Sequence, residues 1–511
     1  MDAPDGPRRF SVVSPLLAAH DTNGHTTTST SKHTQYGTTT ATVPDPSEVE
    51  ALIHRNNDID LHTTASKEAK LLLQSSIPLV ITYLLQYSFS LTTLFVVGHI
   101  GTNELGAVSL ATMTANITGF AIYEGLATSL DTLCAQAYGS GRKELVGLHL
   151  QRMVVLMLLT TVPIGAAWLC SGWILAALVP EKDLAFMAGR YLRILLAGAP
   201  GYAVFEAGKR FTQAQGLFNA SLFVLVLSTP LNVLLNYLFV FTFHWGLPGA
   251  ALATVISNTL LPVFLWLYVY FIAPWSLQCW PGLSLRAACS HWGPMVRLAI
   301  PGIIMAESEW LAFDILTFSA SYLSTAHLAA QSVVLSIGVA MYHIPFSVSV
   351  AVSTRLGNFI GAGALAPARV ATRTYVAVFL AIGLLDATIL TTMRHILPRA
   401  FSADPAVISI AASVMPVLAV FQLCDATTAL ANAVLRGLGR QAIGGYVNVG
   451  VYYGIALPVG LALCFGAPGL KLVGLWTGCA VGSFLITVVE GGYCWGARWE
   501  KAVEDAKGRG E

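Results

Sequence analysis

Charge is what this sequence has least of. Of its 511 residues only 11% are Asp, Glu, Lys or Arg, against 55% hydrophobic, and the net charge is +1. A soluble globular chain carries roughly a quarter charged residues, so that class is excluded. The near-neutral charge provides no footprint for nucleic acid or another polyanion. The eight cysteines include no CxxC pair and no extracellular framework, so no zinc site or disulfide scaffold is expected. Cys134, Cys170, Cys424, Cys464, Cys479 and Cys494 read as packing thiols. HExxH, GxSxG and GxxxxGK[ST] are all missing, so no metalloprotease, serine hydrolase or ATP-driven machine is indicated and no cofactor or metal is expected. Residues 1–66, rich in Thr, Ser and His, have no apolar core that would serve as a secretory signal. They read as a disordered, solvated tail.

What is present is apolar length. Stretches of about 20 residues, enough to cross a bilayer, fall near 70–98, 107–130, 149–171, 184–206, 217–241, 248–272, 294–322, 327–352, 370–392, 405–430, 441–465 and 470–494. The expected fold is all-α, a polytopic membrane protein of twelve transmembrane helices. Basic residues orient such a chain, because loops rich in Lys and Arg stay cytoplasmic. Of the 28 Lys and Arg, all but Lys182, Arg190, Arg193, Arg394, Arg399 and Lys471 fall on the side of the amino terminus. Both termini are therefore expected in the cytoplasm.

Part of the chain occurs twice. The segment from Glu124 to Arg152 is echoed by Pro345 to Arg373, pairing Gly139 and Gly141 with Gly361 and Gly363 at an offset of 222. Ile77-Pro78 matches Ile300-Pro301 at 223, and Gly216-Leu217 matches Gly437-Leu438 at 221. Six spans per copy keep both copies in one orientation, so two six-helix lobes related by a pseudo-two-fold axis along the membrane normal are expected, with a substrate pathway between them. The expected divisions are a tail at 1–66, an amino-terminal lobe at 67–272, an interfacial linker at 273–293 carrying Trp275, Trp280 and Trp292, a carboxy-terminal lobe at 294–496 and a tail at 497–511.

Ionisable groups inside a bilayer cost about 2.5–3.5 kcal/mol each on insertion scales, so those that persist are functional candidates. The seventh span holds Glu307, Glu309 and Asp314, and the tenth holds Asp425. At 100° per residue Glu307 and Asp314 share a helix face, while Glu309 points elsewhere. A carboxyl in a low-dielectric cavity can take a proton from one side and release it on the other. Deprotonated, it attracts a cationic substrate, and competition between the two suffices for antiport. Trp310 beside Glu309 can serve as packing or as a cation–π platform. Glu206 reads as a cytoplasmic-end ion pair with Lys209 or Arg210, Asp131 as a structural acid near Arg142 and Lys143, Asp386 and Glu490 as isolated acids with interfacial or partnered roles, and His343 as the cap of a turn kinked at Pro345. No nucleophile, His or paired catalytic acids cluster at one membrane face, which counts against an embedded enzyme.

The stretches SLDTLCAQAYGSG, KRFTQAQG, AIPGIIMAESEW, IPFSVSVAVSTRLGNFIGAG and NAVLRGLGRQAIGGYVNV resemble, in order, the signatures of the multidrug and toxic compound extrusion family, eukaryotic branch. The resemblance covers Lys67 to Tyr493. It implies a twelve-helix, two-lobed secondary antiporter that exports small organic, often cationic, compounds or xenobiotics in exchange for protons by alternating access. It places Glu309, followed by Trp310, Asp314 and Asp425 at the coupling positions; Glu307 is extra to the pattern. The aspartate that many prokaryotic relatives carry on the first span is absent, and Gln86 and Tyr87 stand in that helix, resembling the eukaryotic pattern. Gln86, Tyr87, Glu307 and Trp310 are the expected cavity residues. At these offsets Glu309 falls opposite Gln86, Asp314 opposite Leu91 and Asp425 opposite Val204, so the proton chemistry is expected mainly in the carboxy-terminal lobe. The expected partners are a small organic substrate, protons and the lipid bilayer, with the protein a monomer in a plasma or vacuolar membrane. The alternatives are sodium coupling and a metabolite or lipid-linked flippase of the same superfamily.

Overall fold

In a bilayer the backbone has no water to bond, so apolar runs of this length satisfy their own N–H and C=O groups as helices. The computed structural model describes residues 63–179 and 181–509, all within one compact unit. Twelve helical spans follow in order: α1 (Ala65–Gly98), α2 (Thr102–Gly139), α3 (Lys143–Leu169), α4 (Lys182–Leu195 continuing through Leu196–Gly198 into Ala199–Ala214), α5 (Asn219–Thr242), α6 (Gly246–Ile272), α7 (Gly293–Ser321), α8 (Thr325–Gly361), α9 (Leu365–Thr392), α10 (Pro405–Leu438), α11 (Gln441–Phe465) and α12 (Lys471–Gly496). A terminal helix, α13, spans Trp499–Arg509. Ten of the spans are long and apolar enough to cross a membrane; α4 and α7 complete the twelve. α4 falls short because the 3-10 turn at Leu196–Gly198 divides it into helices of 14 and 16 residues, and α7 because of its charges. Any 18-residue window of α7 contains Glu307, Glu309 and at least one of Arg297 and Asp314.

The leading tail lies outside the described residues apart from 63–66, where Thr64 caps α1 by accepting from the Lys67 N–H at 3.4 Å. The linker after α6 folds onto α3. Gln151 donates to the Gly282 carbonyl at 2.7 Å and accepts from the Ser284 N–H at 3.0 Å, and Arg152 donates to the Ala287 carbonyl at 3.3 Å. All eight cysteines are free.

Left-handed glycines expose the repeat. Gly141 and Gly363 have φ of 76° and 71°, Gly216 and Gly439 have 78° and 70°, and Gly246 and Gly469 both have 58°. Only glycine takes that conformation without a steric penalty, so each pair marks the same turn in both lobes. This corrects the sequence alignment at one place. The partner of Gly216 is Gly439, at an offset of 223, and not Gly437 at 221; Asp425 therefore lies opposite Tyr202 and not Val204. The repeated Gly-Leu dipeptide had drawn the alignment two residues off.

The lobes exchange their first helices' opening turns. Leu72, Leu79 and Tyr83 of α1 pack in a core with α8, α9 and α10, whereas Met295, Leu298 and Ala299 of α7 join the core of α2, α3 and α4. At the face bearing the start of α1 and α13 the two copies meet directly. A Cβ on Gly139 would stand 2.1 Å from the Asn358 carbonyl oxygen, and one on Gly361 would stand 2.1 Å from that of Gln136. Gln136 and Asn358 are themselves 222 apart, so the contact is reciprocal about the pseudo-axis. Missing side chains there let the backbones touch and shut this face, termed the closed face below.

Candidate functional site

The carboxy-terminal lobe contains an aromatic cleft. Its wall includes Glu309, Trp310 and Phe313 of α7, Tyr342 of α8, Phe421 and Gln422 of α10 and Trp476 of α12. Phe313, Phe421 and Trp476 form a three-ring cluster with centroids 5.7–5.8 Å apart. Trp476 is held by its N–H, which donates to Gln331 at 2.8 Å. The α7 backbone is fixed from α11, where Asn448 donates to the Met305 carbonyl at 3.1 Å and the Tyr453 hydroxyl to the Ser308 carbonyl at 3.2 Å.

Two of the predicted acids come together in this lobe. Asp425, 3% exposed, lies within the electrostatic field of Glu309, and both act on the hydroxyls of Tyr342 and Tyr452. Glu309 is in hydrogen-bonding reach of Tyr452, while Asp425 Oδ2 is buried without a partner among the described residues. Two like charges in an apolar lobe are tolerable only when a proton or a cation neutralises one of them. Asp314 does not join this pair. It stays with Glu307 on the other face of α7, beside Tyr453, as the helical spacing requires. Glu307 also feels Glu124 of the opposite lobe, and its Oε1 is buried and unpartnered. Trp310 is 37% exposed and lines the cleft mouth.

Behind α10, Asp386 and Glu490 are 1% and 0% exposed, and neither carboxylate has a hydrogen-bond partner among the described residues. The interfacial or partnered roles expected of them are thus not met: both lie buried in the lobe, Asp386 in electrostatic reach of Asp425 and Glu490 of Glu309. His343 bonds the Val339 carbonyl within α8 at 2.6 Å and packs on Tyr87 of α1 at 5.3 Å.

The amino-terminal lobe is far more charged than its sequence suggested. Gln86 donates to the Tyr202 hydroxyl and to Glu206, both at 3.0 Å, and accepts from Lys209 at 3.1 Å. Its amide is therefore engaged within its own lobe. Tyr202 donates to Glu124 at 2.6 Å, and Lys209 pairs with Glu206 at 2.7 Å, both fully buried. The expected ion pair of Glu206 with Lys209 is thus present, buried inside the lobe. Asp131 also departs from expectation. It pairs with Arg210 at 3.3 Å and faces Arg436 of the other lobe at 3.9 Å, whereas Arg142 and Lys143 turn to the Lys507 carbonyl and Gln278. Residues 131 and 142 lie on different helices separated by the Gly141 turn, which points their side chains apart. Around this ion group Thr132 and Gln136 donate to the carbonyls of Arg436 and Gly437, at 2.5 and 2.9 Å, and Gln441 donates to the Thr128 carbonyl at 3.1 Å.

Sequence reasoning passed over Glu124, Tyr202, Tyr342, Tyr452 and Gln422. Glu124 had a usable signal, an acid inside a span, and Tyr202 becomes visible once the repeat is aligned at 223. The other three are ordinary span residues until packing brings them to the acids.

A two-lobed, twelve-helix bundle with acids and aromatics buried in one lobe and a seam closed at one face defines a secondary transporter, and comparison with known proteins agrees. The MatE family model matches residues 78–238 and 301–461, two blocks spaced by 223. The chain belongs to this family of multidrug and toxin extrusion transporters, which are not enzymes. It is 41% identical over 448 residues to an uncharacterized transporter of Saccharomyces cerevisiae, covering 87% of this chain and 64% of that one. It is 32% identical over 441 residues to human multidrug and toxin extrusion protein 1, covering 86% of this chain and 77% of the relative. The crystal structure of the eukaryotic MATE transporter AtDTX14 superposes with a TM-score of 0.82 at 30% identity, covering 87% of this chain and 99% of that one.

Proposed function

We propose that this transporter exports small organic cations in exchange for protons, with Glu309 and Asp425 as the shared site. The observation that carries this reading is their convergence from α7 and α10 beside an aromatic cleft, with no basic side chain bound to either among the described residues. A proton neutralises the pair in one state; a cationic substrate, held by the carboxylates and by the rings of Trp310 and Tyr342, replaces it in the other. Asp314 and Glu307 lie across α7 and act on substrate entry along the seam. The basic loops favour a cytoplasmic location for the closed face and both termini, and on this reading the protein works as a monomer in a plasma or vacuolar membrane, with the closed face shut toward the cytoplasm.

The test is efflux from proteoliposomes under an imposed pH gradient, comparing the natural chain with Glu309→Gln and Asp425→Asn. One pH unit supplies about 1.4 kcal/mol per proton, sufficient for roughly a tenfold gradient in electroneutral exchange. Transport unaffected by both substitutions refutes the site, and dependence on sodium instead of pH refutes the ion.

A further inference from the structure

At the closed face a second pocket lies between the lobes' ends and α13. It is lined by Gln136, Ser140, Arg142, His149 and Arg509 among others. Three independent features give it an attraction for anions. First, among the described residues its two guanidiniums hydrogen-bond neutral acceptors: Arg142 donates to the Lys507 carbonyl at 3.4 Å, and Arg509 to Gln136 Oε1 at 3.2 and 2.9 Å. The nearby acid, Asp505, is already bound by Arg440 at 2.6 Å. Second, α3 starts at this pocket with Arg142 as its N-cap residue and no side-chain cap. The opening amides of a 27-residue helix therefore present their partial positive charge there. Third, His149, 6% exposed, lines the pocket with its Nδ1 unpartnered among the described residues.

We propose that this pocket binds a phosphate-type anion, and that the anion joins α2 and α3 of one lobe to α13, which is anchored to the other. The anchoring is extensive: Trp499 and Ala502 are buried in the core of α8, α9 and α10, and Glu500 pairs with Arg369 at 2.6 Å. An anion held by Arg142 and Arg509 thus bridges both lobes where they are already in contact, and favours the closed face. Arginine forks and helix N-termini share a preference for phosphate oxygens. The source is either free phosphate, which helix N-termini bind, or the headgroup of an anionic phospholipid, which basic pockets between membrane helices bind.

The experiment uses the full-length protein in phosphatidylcholine nanodiscs, with thermal unfolding as the readout. One arm titrates inorganic phosphate; the other replaces part of the lipid with phosphatidic acid. A saturable rise in Tm is expected in at least one arm, with apparent affinity at least about tenfold weaker in Arg142→Gln/Arg509→Gln. Arg369→Gln, which loses only the exposed rim pair, retains the response. A response to phosphate assigns a free anion, and a response confined to phosphatidic acid assigns a headgroup. The matched variant Arg142→Lys/Arg509→Lys keeps both charges and most of the response. Equal loss in the Lys and Gln variants would trace the effect to undocking of α13 and overturn the proposal, as would no saturable shift in either arm or an undiminished shift in the Gln variant.

Discussion

The two lobes place different chemistry on equivalent positions. At an offset of 223, Glu309 and Asp425 correspond to Gln86 and Tyr202. In the amino-terminal lobe those two side chains bond each other at 3.0 Å, and the acids around them are answered by Lys209 and Arg210. In the carboxy-terminal lobe the same two positions are both carboxylates, facing tyrosines and, among the described residues, no paired Lys or Arg. One half is a compensated polar core that can remain rigid. The other holds those carboxylates with no basic partner among the described residues, and a proton or a substrate supplies the missing charge in turn under the proposed mechanism. Duplication provided two scaffolds; at two corresponding positions one carries a neutral hydrogen-bonded pair and the other two carboxylates, which are the coupling site in the function proposed above.

The sharpest break of that comparison is Glu309→Gln or Asp425→Asn, expected to reduce pH-driven efflux by at least about a hundredfold while the protein still folds, because the neutralised pair no longer needs a proton. Initial rates in proteoliposomes check this. Next comes Lys209→Met, which leaves Glu206 buried and uncompensated. It is expected to cost about 3–5 kcal/mol in stability, with much of the loss recovered in Glu206→Gln/Lys209→Met. Thermal melting of the two variants measures it, and equal melting would show that the network is not compensated as described.

A smaller effect is expected at the shared seam. Gly139→Ala or Gly361→Ala puts a methyl group against a carbonyl at 2.1 Å, and overpacking of this kind costs about 1–3 kcal/mol. The closed face should open more often, read as faster thiol labelling of a cysteine placed at Ala135 in a chain otherwise lacking cysteine. The smallest is Asp314→Asn, expected to lower efflux by no more than about fivefold and to leave its pH dependence unchanged, since Asp314 lies across α7 from the Glu309 pair. A changed pH profile would place Asp314 in the coupling site after all.

Much of this protein was legible without coordinates. Twelve spans, two six-helix halves and the division of Glu307 and Asp314 from Glu309 around α7 all follow from local rules, because hydropathy and the 100° helical step act along the chain. Glu309 and Asp425 could be named as candidates because an acid in an apolar span is costly wherever its neighbours lie. What the sequence could not determine was which charge meets which. Glu206 with Lys209 is a local pair, yet its burial depends on α1 and α2; Asp131 passes over the nearer Arg142 for Arg210 and for Arg436, 305 positions away. Asp386 and Glu490 look interfacial in isolation and prove to be buried behind α10. The one misread register, Gly216 against Gly437, was a coincidence of dipeptides that backbone conformation resolves. Apolar burial is set by how each residue suits lipid or protein, so it can be read from the chain; the partners of a buried charge are set by how twelve helices cross, and only the tertiary structure decided them.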